Sequence, residues 1–226
     1  MSGKAQILTR IREALRELAP VPGHHGEGAL HHGEPPKEFG GWLPQVGDGL
    51  DERIAVFARN SEELKTEFHV LASRSELGSR LAMLAAANDW KRVASHAGAL
   101  TDAALPAMNL PMLKTDGGYN IAELEQCDAG ITECDALVAQ TGSVLITGRS
   151  AGGRALSVLP PHHVVVATRE QLLPDLPAAY ALLRQRYAAD WPSFMSFITG
   201  PSRTGDIERI LVLGAHGPKR LTIFLA

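Results

Sequence analysis

The chain has 226 residues, of which 45% are hydrophobic and 21% are charged. This is the composition of a folded globular protein, and it excludes wholesale disorder. The formal net charge of −3 argues against a nucleic-acid binder, because such proteins usually carry a positive charge. The longest apolar run, residues 81–87, is too short for a membrane span, which takes about 20 residues, and the N-terminus lacks an apolar signal segment. We therefore expect a cytoplasmic protein with no membrane span and no nucleic-acid partner.

The first 49 residues differ in composition from the rest. Residues 4–18 carry apolar side chains at helical spacing, and the stretch from Pro20 to Gly49 is rich in proline and glycine, as in a linker or a long surface loop. We expect residues 1–49 to form an arm and residues 50–226 to form one α/β domain. The histidines of the arm do not predict a metal site, because no cysteine or ordered carboxylate spacing accompanies them.

Helical and strand patterns alternate in the first part of the domain. Residues 50–65 predict a helix, although residues 54–58 also fit a strand. Residues 68–71 predict a strand, residues 76–88 a helix and residues 92–95 another strand. This order favours a parallel sheet covered by helices.

The second half of the chain predicts one further helix, residues 176–187, among several short strands. The predicted strands are residues 129–132, 136–139, 143–147, 164–167, 194–199 and 221–225. The two cysteines, Cys127 and Cys134, form neither a disulfide framework nor a CxxC motif for zinc, redox or iron–sulfur chemistry.

A polar turn joins two of these strands and is the first candidate ligand site. Gln140 offers an amide, Thr141 and Ser143 offer hydroxyl groups, and Gly142 permits a left-handed turn or the close approach of a ligand. The alternative is a hairpin turn whose polar residues face solvent.

A glycine-rich loop, Gly148 to Arg154, follows the predicted strand at residues 143–147. Arg149 and Arg154 flank its glycines, so the loop can present backbone N–H groups and guanidinium groups to an anion. The alternative is a surface loop without a ligand.

The segment Thr199 to Glu208 predicts a third candidate site, directly after a predicted strand ends at Thr199. Gly200 and Pro201 turn the chain, and Ser202 is a good N-cap for a helix that begins near Arg203. Such a helix start, with Ser202, Arg203 and Thr204 beside it, would bind a phosphate or a carboxylate. The alternative is a capped helix in which Arg203 pairs with a nearby carboxylate.

Two histidines are weak candidates for acid–base catalysis. His163 directly precedes a predicted strand, and His216 lies between glycines in a tight loop before the last strand. Each has a purely structural alternative, as a wall of the fold or as part of a turn. Adjacent His162 and His163 do not predict a metal site, because neighbours on a strand point to opposite faces.

Read in order, the motifs of residues 128–225 resemble the lactate-utilisation (LUD) domain family, and within it the short LutC type, also called the YkgG type. The matching segments are Asp128–Thr132, Ala139–Ser143, Leu159–His163, Gly200–Glu208 and Leu213–Pro218. The helix and linker at the front also match the layout of the short form.

This resemblance implies a three-layer α/β/α fold with a mainly parallel sheet, like that of ribose-5-phosphate isomerase and the CoA transferases. It also implies a role in bacterial oxidation of L-lactate to pyruvate, beside partner subunits that carry the iron–sulfur clusters. This chain is then expected to carry no cluster, no other cofactor and no metal. The family usually has glutamate where this chain has Gln140, and an amide cannot attack an acyl-CoA as a CoA transferase requires.

The leading hypothesis is an accessory component of a lactate-oxidising system that binds a small anion. Arg203 would hold the anion with the backbone amides of Ser202 and Thr204, while the 140–143 turn, His163 and His216 would line the pocket. The alternative is an independent isomerase or transferase that acts on a sugar phosphate or an acyl ester and uses His163 or His216 as its acid or base.

Overall fold

The computed structural model describes residues 45–204, 212–214 and 216–226, together with residues 9, 10 and 13. The chain divides into two compact units, Met1–Gly41 and Trp42–Ala226, and the fold below belongs to the second unit. The predicted arm, residues 1–49, lies almost entirely outside the described residues.

The helices of the domain are α1 (Leu50–Glu63), α2 (Leu77–Ala87), α3 (Ala99–Ala104), α4 (Ile121–Glu125) and α5 (Leu176–Tyr187). The strands are β1 (Glu67–Val70), β2 (Val93–Ser95), β3 (Met112–Lys114), β4 (Ala129–Thr132), β5 (Ala136–Val138), β6 (Ser143–Thr147), β7 (His162–Ala167), β8 (Leu172–Leu173), β9 (Met195–Ile198), β10 (Arg203–Thr204), β11 (Val212–Leu213) and β12 (Arg220–Leu225). Single turns of 3₁₀ helix cover Arg74–Glu76, Leu105–Met108, Ala139–Thr141, Ala155–Ser157 and Arg169–Gln171. The predicted helices at residues 50–65, 76–88 and 176–187 are thus confirmed, and so is the order of the main strands.

A six-stranded sheet forms the centre of the domain, in the order β1-β12-β7-β4-β2-β3, and every neighbouring pair is parallel. One face packs against α2 and α3 through a cluster that includes Leu81, Leu105, Ile131 and Val164. Consecutive residues of β7 and β12 are buried, so both faces of the sheet are covered. The predicted parallel sheet, with a layer packed on each face, is thereby confirmed.

A second sheet covers the other face of the central one. It has the order β8-β5-β6-β9, with β5 and β6 antiparallel and joined by the predicted turn. Leu137 and Val144 pack against the central sheet beside Phe57 of α1, while Val138 and Leu145 pack against α5. This smaller sheet is an addition to the expected architecture, and it places the polar turn at the end of α1.

Candidate functional site

The β5–β6 turn is held against the C-terminal end of α1. The side chain of Asn60 donates hydrogen bonds to the carbonyl oxygens of Ala139 (2.8 Å) and Gln140 (3.0 Å), and it is buried there. Gly142 has a φ of 63°, and an added Cβ would lie 2.9 Å from Cβ of Asn60. The turn therefore needs glycine for its backbone conformation and for its close approach to α1, which is a structural role for Gly142.

A chain of hydroxyl groups leads from this turn to the end of β9. The hydroxyls of Thr141 and Ser143 lie 2.8 Å apart, and the hydroxyl of Ser143 lies 2.8 Å from that of Thr199. Ser143 is buried, whereas Thr199 is exposed. Two of the predicted turn residues are thus connected, through hydrogen bonds, to a side chain that reaches the surface.

The prediction that a helix begins near Arg203 is wrong, because Arg203 and Thr204 form strand β10 and pair antiparallel with β11. The backbone N–H of Ser202 donates to the carbonyl of Pro218 (2.9 Å), so Ser202 is tied to the loop before β12 and does not cap a helix. The guanidinium of Arg203 donates to the carbonyl oxygen of Leu64 at the end of α1. The remainder of the predicted helix, residues 205–211, lies outside the described residues.

Two cavities share Arg154 and Phe194 in their walls. The first, here called the hydroxyl cavity, has a volume of about 300 Å³, and its lining includes Arg154, Thr199, Ser202 and His216. The second, here called the arginine cavity, has a volume of about 560 Å³, and its lining includes Arg149, Arg154 and Trp191. The fold thereby brings the glycine-rich loop, the Ser202 segment and the His216 loop together.

The hydroxyl cavity has the chemistry of a small-anion site. Ser202 and Thr199 supply hydroxyl donors, and Arg154 supplies a guanidinium that no carboxylate of the described residues pairs with. His216 is exposed at the same cavity and can donate to an anion through a ring nitrogen. Gln140 and Gly142 do not line this cavity, and Thr141 and Ser143 are linked to it only through Thr199.

The sequence predicted neither a ligand role for Thr199 nor the position of Arg154. Thr199 belongs to the third candidate segment, but only as the residue at which a predicted strand ends. Arg154 belongs to a loop that the sequence did single out. Its guanidinium lies 6.0 Å from the ring centre of Phe194, a cation–π contact that sets its place between the two cavities.

The two adjacent histidines of β7 are buried on opposite faces, as the strand periodicity predicts. Nε2 of His163 lies 2.9 Å from the hydroxyl of Thr132, and Nε2 of His162 lies 2.8 Å from the hydroxyl of Thr222. Burial, and then the charge of His162, lowers the pKa of His163 to about 3. His163 is 1% exposed and does not line the hydroxyl cavity, so the structure separates it from His216.

Open parallel sheets usually bind ligands at the carboxyl ends of their strands, at the point where the strand order reverses. In this sheet the order reverses between β2 and β4. His96 and Glu133, which follow these two strands, were not singled out from the sequence. Nε2 of His96 accepts from the backbone N–H of Glu133 (3.0 Å), and Nδ1 lies 2.8 Å from the carbonyl of Ala97. The carboxylate of Glu133 accepts from the backbone N–H groups of Leu100 (2.8 Å) and Thr101 (3.1 Å). Because these groups are already engaged with backbone, the hydroxyl cavity is the stronger candidate.

Within the described residues, no group of three or more His, Cys, Asp or Glu side chains is placed to hold a metal ion. None of the helices in the described part of the chain is both long and apolar enough to cross a membrane.

Comparison with known proteins gives one family. The model of the LUD domain matches residues 54–226. A Bacillus subtilis (strain 168) protein named "Lactate utilization protein C" is 33% identical over 125 residues, covering 53% of this chain and 52% of the relative. A protein of the same name from Anoxybacillus flavithermus is 35% identical over 108 residues, covering 48% of each chain. The chain therefore spans about half the length of these curated relatives.

The fold has a counterpart among solved structures. A crystal structure of a DUF162 family protein from Deinococcus radiodurans superposes with a TM-score of 0.62 at 20% sequence identity, covering 78% of this chain and 98% of that one. This likeness supports the α/β architecture. With the domain model matching from α1 to the last strand, the chain belongs to the LUD domain family.

Proposed function

We propose that this chain is an accessory component of a bacterial system that oxidises L-lactate to pyruvate, and that it binds a small anion in the hydroxyl cavity. The observation that carries the first part is its similarity to relatives named for lactate utilisation, at 33% and 35% identity. The iron–sulfur clusters of such a system would be bound by partner subunits. The two cysteines of this chain are both buried, and each packs in a different part of the hydrophobic core. The proposed location is the cytoplasm.

The second part rests on the side chains that meet at the hydroxyl cavity. Arg154 is exposed and has no carboxylate partner among the described residues, whereas Arg203 is occupied by the carbonyl of Leu64. We therefore assign the anion to Arg154, Ser202 and His216, and we assign Arg203 to anchoring β10 on α1. Thr199, oriented by Ser143, would supply a further donor.

A thermal-shift screen with L-lactate, pyruvate and inorganic phosphate tests this assignment. A ligand at 100 times its Kd stabilises a fold by about 2.7 kcal/mol, which raises Tm by roughly 5–10 °C in a protein of this size. We expect such a shift in the native protein and its loss in Arg154→Ala.

Arg203→Ala is the matched control, because it removes a guanidinium of the same charge that donates to backbone. We expect this variant to have a lower Tm without ligand but the same ligand-induced shift. A shift that survives in Arg154→Ala and disappears in Arg203→Ala would place the anion at Arg203 and overturn the assignment to the hydroxyl cavity.

The accessory role predicts physical association with iron–sulfur subunits, and we expect the arm to supply the contact. Deletion of residues 1–40 is expected to abolish co-purification with such a partner while the domain keeps its cooperative thermal transition. The full chain with Arg154→Ala serves as the control, since it changes the cavity and leaves the arm intact. Co-purification that survives the deletion would contradict docking through the arm.

The alternative, an independent isomerase or transferase, needs an acid or base beside the bound anion. Of the two histidines considered, His216 lines the hydroxyl cavity and His163 does not. Turnover of a sugar phosphate or an acyl ester by the purified chain, with loss of that turnover in His216→Gln, would support this alternative over the accessory role.

A further inference from the structure

The arginine cavity shares Arg154 with the hydroxyl cavity and adds two side chains that the small-anion proposal leaves unused, Arg149 and Trp191. Its walls include two guanidinium groups, Arg149 and Arg154, and two aromatic rings, Trp191 and Phe194. We propose that this cavity binds a nucleoside phosphate, with the base against Trp191 and the phosphate at the two arginines.

The aromatic part of the argument concerns Trp191. This side chain is 47% exposed, whereas Trp90 is buried in the core and packs edge-on against His162. Within the described residues, the ring of Trp191 makes no contact with another aromatic ring or a cation. An exposed indole in a concave site is a stacking surface for a planar ring, and it serves any base because every base has a π-face.

The charged part concerns the two arginines. Arg149 pairs with Asp190 and lies 5.7 Å from the ring centre of Tyr187, while Arg154 has no carboxylate partner in the described part of the chain. Two guanidinium groups and one carboxylate leave a net positive charge at the cavity. Guanidinium groups bind phosphate through paired, charge-assisted hydrogen bonds, so the cavity suits a phosphate better than a neutral group.

The backbone of the loop is open to a ligand and fixed in place. Gly153 lines the arginine cavity with a φ of 100°, and an added Cβ there would meet nothing within 4 Å. The hydroxyl of Thr115 donates to the carbonyl of Gly152 (3.0 Å), and the backbone N–H of Ala151 donates to the carbonyl of Thr147 (3.1 Å). Because the loop is anchored at these points, little ordering is needed when a ligand binds.

The test measures binding of AMP, adenosine and inorganic phosphate to the full chain by titration calorimetry and by tryptophan fluorescence. We expect AMP to bind roughly 5- to 150-fold more tightly than phosphate, which is the effect of stacking on one aromatic side chain. We also expect AMP to bind more tightly than adenosine, because adenosine lacks the phosphate that the arginines hold. Trp191→Ala is expected to weaken AMP binding by about ten-fold or more and to remove the fluorescence change, and Trp191→Phe to restore most of the affinity. Phosphate affinity should stay the same in both variants.

Ser202→Ala separates this inference from the proposed function, because Ser202 lines the hydroxyl cavity and not the arginine cavity. We expect it to weaken lactate or pyruvate binding and to leave AMP binding unchanged. The nucleoside phosphate site is overturned if AMP binds no more tightly than phosphate, or if Trp191→Ala leaves the affinity for AMP unchanged. Either result overturns it even if lactate binds. AMP binding that depends on Trp191, without any binding of lactate or pyruvate, supports this site and overturns only the anion site of the hydroxyl cavity.

Discussion

Between pH 6.5 and pH 5, the free energy of unfolding is expected to fall steeply, because β7 buries two neutral histidines. Burial, and then the charge of Arg220, lowers the pKa of His162 to about 4, while burial and the charge of His162 lower that of His163 to about 3. Both values lie below the ordinary pKa of 6.5, so the unfolded chain binds these protons first as the pH falls. The cost in stability for each histidine begins near pH 6.5 and approaches about 1.4 kcal/mol per pH unit as the pH falls further, until the folded pKa is reached.

The structural reason is clearest at His163. Its Nδ1 is buried and has no hydrogen-bond partner among the described residues, while Nε2 already contacts Thr132. In the charged form both ring nitrogens carry a proton, so the proton on Nδ1 would be buried without an acceptor, which disfavours that form.

Urea unfolding between pH 5 and pH 6.5 checks this expectation. His163→Gln should remove about half of the pH dependence in that range, whereas His69→Gln, which replaces an exposed histidine, should keep the native slope. Glu67 does not add to the pH dependence between pH 5 and pH 6.5. Burial raises its pKa, but hydrogen bonds from Arg220 and Thr222 lower it below 4.5 overall. The stability that Glu67 adds is therefore present above pH 4.5 and is lost only at lower pH. An unchanged slope in His163→Gln would contradict the role of His163.

Asp135→Ala is the second change for which a large effect is expected, because it removes a buried carboxylate, directly before β5, that pairs with Arg186 of α5. Asp135 is 1% exposed, and its Oδ1 accepts from the hydroxyl of Tyr187 (2.6 Å) and from Arg186 (3.0 Å). Removing one partner of a fully buried pair costs about 3–5 kcal/mol, but the side chain of Arg186 is 43% exposed and regains water. We expect a loss of about 2–3 kcal/mol in the free energy of unfolding.

The matched comparison is Asp190→Ala. Asp190 also pairs with an arginine, Arg149, but its side chain is 77% exposed, so its loss should cost less than about 1 kcal/mol. Urea unfolding of both variants at pH 7 gives the two values. Similar values for the two variants would show that burial of Asp135 does not strengthen its pair.

The candidate motifs could be picked out from the sequence, but the structure places their residues in different surroundings. Ser202 and His216 meet at one cavity, as expected of a common site. Gln140 and Gly142 instead hold the turn on α1, and Arg203 reaches the end of the same helix. Polar residues in a turn satisfy backbone groups as readily as they bind ligands, and a local pattern does not distinguish the two uses.

The sequence by itself determined the family, the parallel sheet and most of its strands and helices, because buried strands and amphipathic helices leave local periodic patterns. Only the tertiary structure decided that Arg203 begins a strand, since its pairing with Leu213 and the tie between Ser202 and Pro218 override a local helix-capping signal. It also decided that Arg154 stands between two cavities, beside Phe194, which directly precedes β9. Such contacts join residues distant in sequence, and no short stretch of the chain carries a signal for them.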